Sequence, residues 1–282
     1  MKSFVASKRS IAILASVCLL AAATNSAAVA QTTLASATFA NFANGNLVGQ
    51  NGWLQYNTQS TNPIQVNGGV VSWVGSGTTA ANDQDAMLPF SQQLTQPASG
   101  ANVINFDLLL SIGSAGTSGT PSYFAALNTL TGTATTSNFQ NARLVAQASG
   151  AGFVFGARVN GQTGYPFGYG TTVLNFNQPY ALRAEINQVA GNANDFINMY
   201  VGPDFGSLTL YGTAGYSAGT VADPDFGAIL LSQFASASAF SSTVAIQSTS
   251  VSFVPEPSTL ALGGFGLVAA GWLYRRRSRP AA

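Results

Sequence analysis

The sequence predicts an all-β fold, an antiparallel β-sandwich flanked by a short apolar helix at each end of its 282 residues. Two observations carry the prediction. Between residues 31 and 254, apolar and polar residues alternate with the two-residue period of a half-buried strand, while helical periodicity is weak. Short stretches rich in Gly, Asn, Ser and Pro separate roughly a dozen such segments. A barrel closed from the same strands is the alternative architecture.

The first clear elements are a hairpin and a long strand. Ile64–Val66 and Gly69–Val74 flank Asn67-Gly68, a dipeptide that favours a type I′ turn because it tolerates positive φ. In the segment Ile104–Leu110 every even-numbered residue is apolar, which predicts one fully buried face.

The later elements follow the same pattern. Strands are predicted over Phe153–Val159, over Tyr180–Ile186, and over Ile197–Val201 after a Gly/Asn turn. A last strand, Val244–Phe253, leads directly into the C-terminal segment. Together these strands form the predicted body of the protein.

The strand at 180–186 also carries two charges on its polar face. Arg183 and Glu185 are two residues apart and are therefore expected on the same side of the sheet. We expect them to form a solvated ion pair that contributes less than about 1 kcal/mol.

The N-terminus has the organisation of a secretory signal peptide. A basic start is followed by an apolar run at 11–23, and Ala28 and Ala30 give a small-x-small cleavage pattern before Gln31. Signal peptidase is thus an expected partner, with residues 1–30 removed. The one cysteine, Cys18, lies inside the apolar run, so the mature body is expected to contain no disulfide.

The C-terminus combines a rigid extended segment with a short apolar run. Pro255, Glu256 and Pro257 favour an extended chain, and Leu260–Tyr274 contains no charge. As a helix this run spans about 22 Å, shorter than the roughly 30 Å hydrocarbon core of a bilayer. We expect transient insertion in the inner membrane, with a permanent uncut anchor as the alternative. The arginines after the run are expected to stay in the cytoplasm: Arg275, Arg276 and Arg277.

The body between these ends is mildly acidic. Residues 31–254 contain three arginines, no lysine and eight acidic residues, so their net charge is −5. No basic surface of useful size can be built from this composition, which argues against nucleic-acid binding.

Catalytic groups are scarce, and no catalytic residue is predicted. The chain contains no histidine, which excludes Ser-His-Asp and Cys-His catalysis and histidine-bound zinc. A carboxylate pair is the remaining general acid–base route. Glu185 is the only glutamate of the body and has no second carboxylate on its strand. The protein is therefore expected not to be an enzyme.

Two segments are candidate binding sites. Asp83 and Asp85 form an oxygen-rich cluster with weak calcium-binding character, although a plain polar turn is the simpler interpretation and no cofactor is otherwise expected. Tyr165, Phe167 and Tyr169 form an aromatic segment that suits sugar stacking; the simpler interpretation is that these rings cap the sandwich.

The C-terminal arrangement resembles the PEP-CTERM sorting signal of exopolysaccharide-producing Gram-negative bacteria. Pro255-Glu256-Pro257, the apolar run 260–274 and the arginine cluster carry this resemblance. It implies that an exosortase-like enzyme processes residues 255–282 and that the protein reaches the cell surface or the extracellular space.

A second resemblance concerns the body, residues 31–254. The segment Phe42–Trp53 and the strand pair Tyr180–Ile186 and Asp195–Pro203 are similar to parts of a concanavalin A-like (laminin-G-like) jelly roll. This resemblance implies a jelly-roll sandwich, a fold that hosts lectins, glycosidases and adhesion modules alike.

The expected function is therefore that of an exported cell-surface or extracellular-matrix protein. Its role is expected to be structural or adhesive, with weak binding of glycan, exopolysaccharide being the expected partner. The alternatives are a carbohydrate-active enzyme, either a glycoside hydrolase or a lyase, and a dedicated lectin.

Overall fold

The computed structural model describes residues 31–56, 62–74, 84–116, 121–129, 140–159, 167–192, 194–215, 225–232 and 243–255. Within the chain, Gln31–Glu256 form one compact unit. The predicted signal peptide with Ala28 and Ala30 lies outside the described residues. So do the apolar run 260–274 and the residues Glu256, Pro257, Arg275, Arg276 and Arg277.

The first sheet contains nine strands. In chain order they are β1 (Thr32–Thr38), β2 (Gly45–Asn46), β4 (Gln65–Asn67), β5 (Val70–Val74), β7 (Ala101–Ser114), β12 (Pro179–Val189), β13 (Phe196–Gly202), β14 (Thr209–Gly215) and β16 (Thr243–Pro255). Their spatial order is β14-β13-β12-β7-β16-β5-β4-β2, and β1 pairs with the C-terminal part of β16.

The second sheet contains seven strands. They are β3 (Leu54–Gln55), β6 (Ala86–Leu94), β8 (Ser122–Asn128), β9 (Gln140–Ser149), β10 (Gly152–Arg158), β11 (Gly168–Tyr169) and β15 (Phe226–Leu231). Their spatial order is β11-β10-β9-β8-β15-β6-β3.

The two sheets form the predicted antiparallel sandwich. Neighbouring strands in both sheets run antiparallel, and the chain crosses repeatedly from one sheet to the other, as in a jelly roll. Alternate side chains of both sheets meet in one apolar core. From β7 this core receives Ile104, Phe106, Leu108, Leu110 and Ile112, all at most 1% exposed.

The strands predicted from alternation are present. β7, β12, β13 and β16 cover the segments expected at 104–110, 180–186, 197–201 and 244–253, and β10 covers the segment expected at 153–159 except for its last residue. Trp53 is buried at 1% exposure and packs against Phe39 with ring centroids 5.9 Å apart.

The predicted hairpin is also present, but its turn lies one residue later than expected. Asn67 pairs with Val70, so Gly68 and Gly69 are the two turn residues, with φ of 59° and 79°. Positive φ at both central positions is the type I′ geometry. A Cβ atom on Gly69 would lie 2.9 Å from Cα of Ala40, so the close approach of that backbone also requires glycine here.

Helix is nearly absent from the described part of the chain, where a 3₁₀ turn at Phe39–Asn41 is the one helical element. None of the described residues forms a helix long and apolar enough to cross a membrane. The transmembrane helix predicted for 260–274 falls outside these residues and stays a prediction.

Candidate functional site

The outer face of the second sheet is the candidate site. On β9, Leu144 faces the core between the sheets, so its neighbours Arg143 and Val145 face outward. On β10, Ala157 faces the core, so Arg158 and Gly156 face outward. Two of the three arginines of the body therefore lie on one sheet face.

Three aromatic side chains lie beside these arginines. Tyr123 pairs with the outward-facing Val145, and Tyr169 pairs with Gly156. The Tyr169 ring covers Gly156 so closely that a Cβ atom there would lie 2.5 Å from the ring. Phe167 lies between the other two rings, at centroid distances of 5.8 Å from Tyr123 and 5.9 Å from Tyr169. Glycine at 156 thus gives Tyr169 room to lie against the sheet.

The arginines stack on these rings. The guanidinium of Arg143 lies 5.3 Å from the centroid of Tyr123, and that of Arg158 lies 4.8 Å from the centroid of Phe167. All of these side chains are half-buried. We call this group the aromatic–arginine strip, and it consists of Tyr123, Arg143, Arg158, Phe167 and Tyr169.

Burial within the strip shifts the pKa values of Arg158 and Tyr169. Burial lowers the pKa of Arg158, and the nearby positive charge of Arg143 lowers it further. Burial raises the pKa of Tyr169 to about 12. Tyr169 thus presents an uncharged hydroxyl group beside the two cations, as an ordinary tyrosine does, and burial extends this neutral state to higher pH.

A buried polar group adjoins the strip on the same face. Tyr56, Asp85 and Asn128 are exposed by 3%, 8% and 0% respectively. Burial raises the pKa of Tyr56, while the Asn128 amide and the charge of Arg143 oppose this effect and Asp85 adds to it. Arg143 therefore lies close enough to interact with this group, which extends the polar part of the face toward β6.

The outer face of the first sheet holds an ion pair between Arg183 and Asp107. Arg183 donates from Nε and one terminal nitrogen to the two oxygens of Asp107, at 2.7 and 2.9 Å. The pair predicted between Arg183 and Glu185 is therefore wrong. Arg183 is directly opposite Asp107 across β12 and β7, and opposite side chains are closer than side chains two residues apart on one strand. Glu185 instead accepts hydrogen bonds from the amides of two asparagines: Asn187 and Asn198.

Two of the other carboxylates share Gln96 as a hydrogen-bond donor. Asp195 is fully buried and accepts from the amide of Gln96 and the backbone of Val189. Asp225 accepts from the backbone of Gln96, and Asp204 closes its own turn. Among the residues that the structure describes, no three acidic or cysteine side chains are grouped as metal ligands.

The described residues do not support the calcium site predicted at Asp83 and Asp85. Asp85 is buried beside Tyr56, and Asp83 falls in one of the segments that are not described. Among the described residues, Asp85 belongs to no group of three or more acidic or cysteine side chains that could hold a metal ion.

The predicted aromatic segment also lies only partly within the described residues. Phe167 and Tyr169 lie on the outer face of the second sheet and not between the sheets, while Tyr165 falls outside the described residues. Sequence reasoning missed Arg143, Arg158 and Tyr123. Strand alternation could have placed both arginines on an outer face, but only the strand order places them next to each other and next to Phe167.

The C-terminal segment matches a known sorting motif. Residues 253–277 match the PEP-CTERM protein-sorting motif. This confirms the resemblance noted from the residues around Pro255 and marks the chain as an exported substrate of an exosortase-like enzyme. The match begins inside β16, which ends at Pro255.

No curated protein matches the chain. Among solved structures it is similar to an alginate lyase in complex with alginate trisaccharide, at 11% identity and a TM-score of 0.47 over 79% of this chain and 97% of that one. It is also similar to the CBM2 module of the evolved Dit protein of Lactobacillus casei BL23 phage J-1, at 12% identity and a TM-score of 0.43, covering 80% and 97% of the two chains.

A third similar structure is the carbohydrate recognition domain of Emp47p. The identity is 12% and the TM-score 0.42, over 78% of this chain and 94% of that one. At these identities and scores, function has to be argued from the residues of this chain.

Proposed function

We propose that the protein is an exported structural or adhesive component of the cell surface or extracellular matrix, and that its body binds glycan through the aromatic–arginine strip. The PEP-CTERM match supports the destination. The signal peptide predicted for residues 1–30 provides the matching entry into the export route.

One observation carries the glycan-binding part of the proposal. The ring of Phe167 is half-buried on an outer sheet face, although phenylalanine is ordinarily buried in the core, and the half-buried rings of Tyr123 and Tyr169 lie on either side of it. Sugar CH groups pack well on such rings, and the neighbouring Arg and Tyr groups supply hydrogen bonds to hydroxyl groups.

A glycan array probed with purified full-length protein tests this proposal. We expect Phe167→Ala and Tyr169→Ala each to weaken glycan binding by about tenfold, the effect of losing roughly 1.4 kcal/mol of stacking. Phe205→Ala is the matched control, since Phe205 is 39% exposed in the turn between β13 and β14. Absence of binding to every glycan, or equal losses in all three variants, would reject the strip as a glycan site.

We further propose that this binding is not coupled to catalysis. The absence of histidine from the chain and the engagement of Asp107 with Arg183 support a passive role. Incubating the protein with each glycan that it binds, followed by mass spectrometry, provides the test. Release of shorter oligosaccharides would favour the alternative of a glycoside hydrolase or lyase on the same fold.

A further inference from the structure

We infer that the outer face of β12 and β13 is a second glycan-binding surface and that its ligand is an uncharged polysaccharide. The inference goes beyond the proposed function, because this surface lies on the first sheet and shares no residue with the aromatic–arginine strip. We call it the β12–β13 face, and it consists of Arg183, Glu185, Asn187, Phe196, Asn198 and Tyr200.

Strand register places these six side chains in three adjacent pairs. Residues 197, 199 and 201 of β13 and residues 182, 184 and 186 of β12 point into the core, so the residues that alternate with them face outward. The cross-strand neighbours are Arg183 and Tyr200, Glu185 and Asn198, and Asn187 and Phe196. Two aromatic rings on β13 thus lie beside a row of polar groups on β12.

The two rings of this face are accessible from solvent. Phe196 is 37% exposed and Tyr200 is half-buried. They are four residues apart on one strand, a distance of about 13 Å. Leu210, which pairs with Tyr200 from β14, is 60% exposed and extends the apolar surface. Sugar CH groups pack on aromatic rings, so the two rings can contact different units of one glycan chain.

Hydrogen bonds hold the polar groups of the face in a fixed arrangement. Arg183 donates to both carboxylate oxygens of Asp107. Oε1 of Glu185 accepts from the side-chain amides of Asn198 at 3.1 Å and Asn187 at 3.3 Å. Side chains that are already ordered lose less conformational freedom when a ligand binds. The polar row is therefore pre-organised for recognition.

The same groups keep hydrogen-bonding capacity for a ligand. Within the part of the chain that the structure describes, Arg183 bonds through Nε and one terminal nitrogen, and Glu185 bonds through Oε1. The other terminal nitrogen of Arg183 can only donate, and Oε2 of Glu185 can only accept, whereas a hydroxyl group does both. Neighbouring sugar hydroxyls therefore suit both groups.

The charges of this face favour an uncharged ligand. Its guanidinium, Arg183, interacts with two carboxylates, Asp107 and Glu185, so the three groups together have a net charge of −1. The body as a whole has a net charge of −5. Such a surface repels acidic polysaccharides and anionic lipid surfaces. Sugar hydroxyls, in contrast, form charge-assisted hydrogen bonds with a carboxylate.

The position of the face gives it a function that the strip alone cannot supply. The strip lies on the outer face of the second sheet, so the two surfaces point away from each other across the sandwich. One molecule can therefore hold two polysaccharide chains and cross-link them. Cross-linking strengthens attachment to a polymer matrix without additional contacts at either site.

The test measures the binding of neutral hexasaccharides of glucose and of mannose to purified full-length protein that lacks the strip. In the double variant Phe167→Ala/Tyr169→Ala, we expect at least one of the two hexasaccharides still to bind. Adding Phe196→Ala or Tyr200→Ala should weaken this remaining binding by about tenfold. A hexauronate should bind at least about fivefold more weakly than the neutral hexasaccharide, because the face is acidic.

Two further variants serve as controls in the same background. Tyr200→Phe keeps the ring and should keep the affinity within about threefold. Val173→Ala removes an apolar side chain that is 49% exposed outside both surfaces, and it should leave binding unchanged. Thermal unfolding identifies any loss of binding that results from loss of the fold. If Tyr200→Ala does not fold, Phe196→Ala at the exposed start of β13 decides the comparison.

The outcomes separate this inference from the proposed function. If the unmodified protein binds and the strip double variant binds nothing, the inference fails and the strip stands. Unchanged affinity in both Phe196→Ala and Tyr200→Ala, or preference for the hexauronate, also overturns it. A dimer that light scattering detects and that Tyr200→Ala abolishes would assign the face to a second copy of the chain instead. If no glycan binds the unmodified protein, the inference and the proposed glycan binding both fail.

Discussion

At the scale of single residues, cross-strand register decides which side chains interact. Arg183 has Glu185 two positions away on its own strand and Asp107 directly opposite on β7, and it bonds to Asp107. The contact raises the pKa of Arg183, with the hydrogen bonds to Asp107 as the main cause. Both side chains keep some solvent contact, 31% and 15% of their surface being exposed, so screening limits the strength of the pair.

A pair of double-mutant cycles tests this assignment. We expect a coupling energy of about 0.5–1 kcal/mol between Arg183→Ala and Asp107→Ala, because the contact is bidentate but partly exposed. The cycle of Arg183→Ala with Glu185→Ala should give a coupling close to zero. Denaturant unfolding of the single and double variants measures both values. A larger coupling to Glu185 than to Asp107 would contradict the assignment.

At the scale of elements, the sandwich is closed on one side by the approach of two edge strands. β11 is the edge of the second sheet and β14 the edge of the first. Tyr211 of β14 donates its hydroxyl to the carbonyl of Thr172 at 2.7 Å and accepts from the backbone N–H of Phe155 at 3.3 Å. This contact protects two edges that would otherwise offer unpaired backbone groups to other chains.

Gly168 makes that approach possible and gives a prediction for the two edge strands. A Cβ atom at Gly168 would lie 2.0 Å from the carbonyl oxygen of Thr213, which is backbone and cannot move aside cheaply. We therefore expect Gly168→Ala to lower the free energy of unfolding by about 1–3 kcal/mol, the usual cost of overpacking.

The control for this prediction is Gly215→Ala, at the end of β14. Its Cβ atom would lie at an ordinary contact distance of 3.4 Å from Phe196. Denaturant unfolding measures both variants, and light scattering detects any association through an opened edge. Equal stability of the two variants would show that the approach of β11 to β14 is not tight.

At the scale of the whole molecule, the two ends of the body lie side by side. β1 begins directly after the predicted signal-peptide cleavage site, and Thr32 pairs with Phe253 of β16. The Gln31 side chain also donates a hydrogen bond to the hydroxyl of Ser252. The sorting motif starts at 253, so its first three residues are also the last three residues of the sheet. Sorting and folding thus share a short segment of sequence.

Two truncations separate these roles. Removing 257–282 should change the location of the protein in its exporting host and leave its melting temperature unchanged. Removing 253–282 should in addition lower the melting temperature by about 5 °C, since the body loses the pairs of Phe253, Val254 and Pro255 with β7 and the packing of Phe253.

Cell fractionation and thermal unfolding of the purified variants measure the two effects. Identical location of the full chain and the 257–282 truncation would reject the sorting role. Identical melting temperatures of the two truncations would show that the end of β16 contributes nothing to the fold.

Much of the fold could be predicted because burial imposes a local pattern. Each strand between the sheets places every second residue in the core, so the apolar positions of β7, β10, β12 and β13 are visible in the sequence. The position of the hairpin turn was predicted less accurately. Asn67-Gly68 and Gly68–Gly69 can both adopt the positive φ that a type I′ turn requires, and the turn lies at Gly68–Gly69.

The sequence by itself identified the sorting motif of this protein and the composition of its body. A sorting motif is a linear signal that an enzyme recognises along the chain, so Pro255 and the segment after it could be identified without a structure. The absence of histidine and the net charge of −5 in the body are likewise properties of the chain alone.

The tertiary structure alone decided what lies on the outer faces. Arg143 and Arg158 are 15 residues apart in the chain, and Tyr123, Phe167 and Tyr169 come from two other strands or their flanks. Strand order and register bring them together, and both depend on the packing of the whole sandwich. The candidate site could therefore not be predicted from local patterns, because those patterns do not show which residues of distant strands become neighbours.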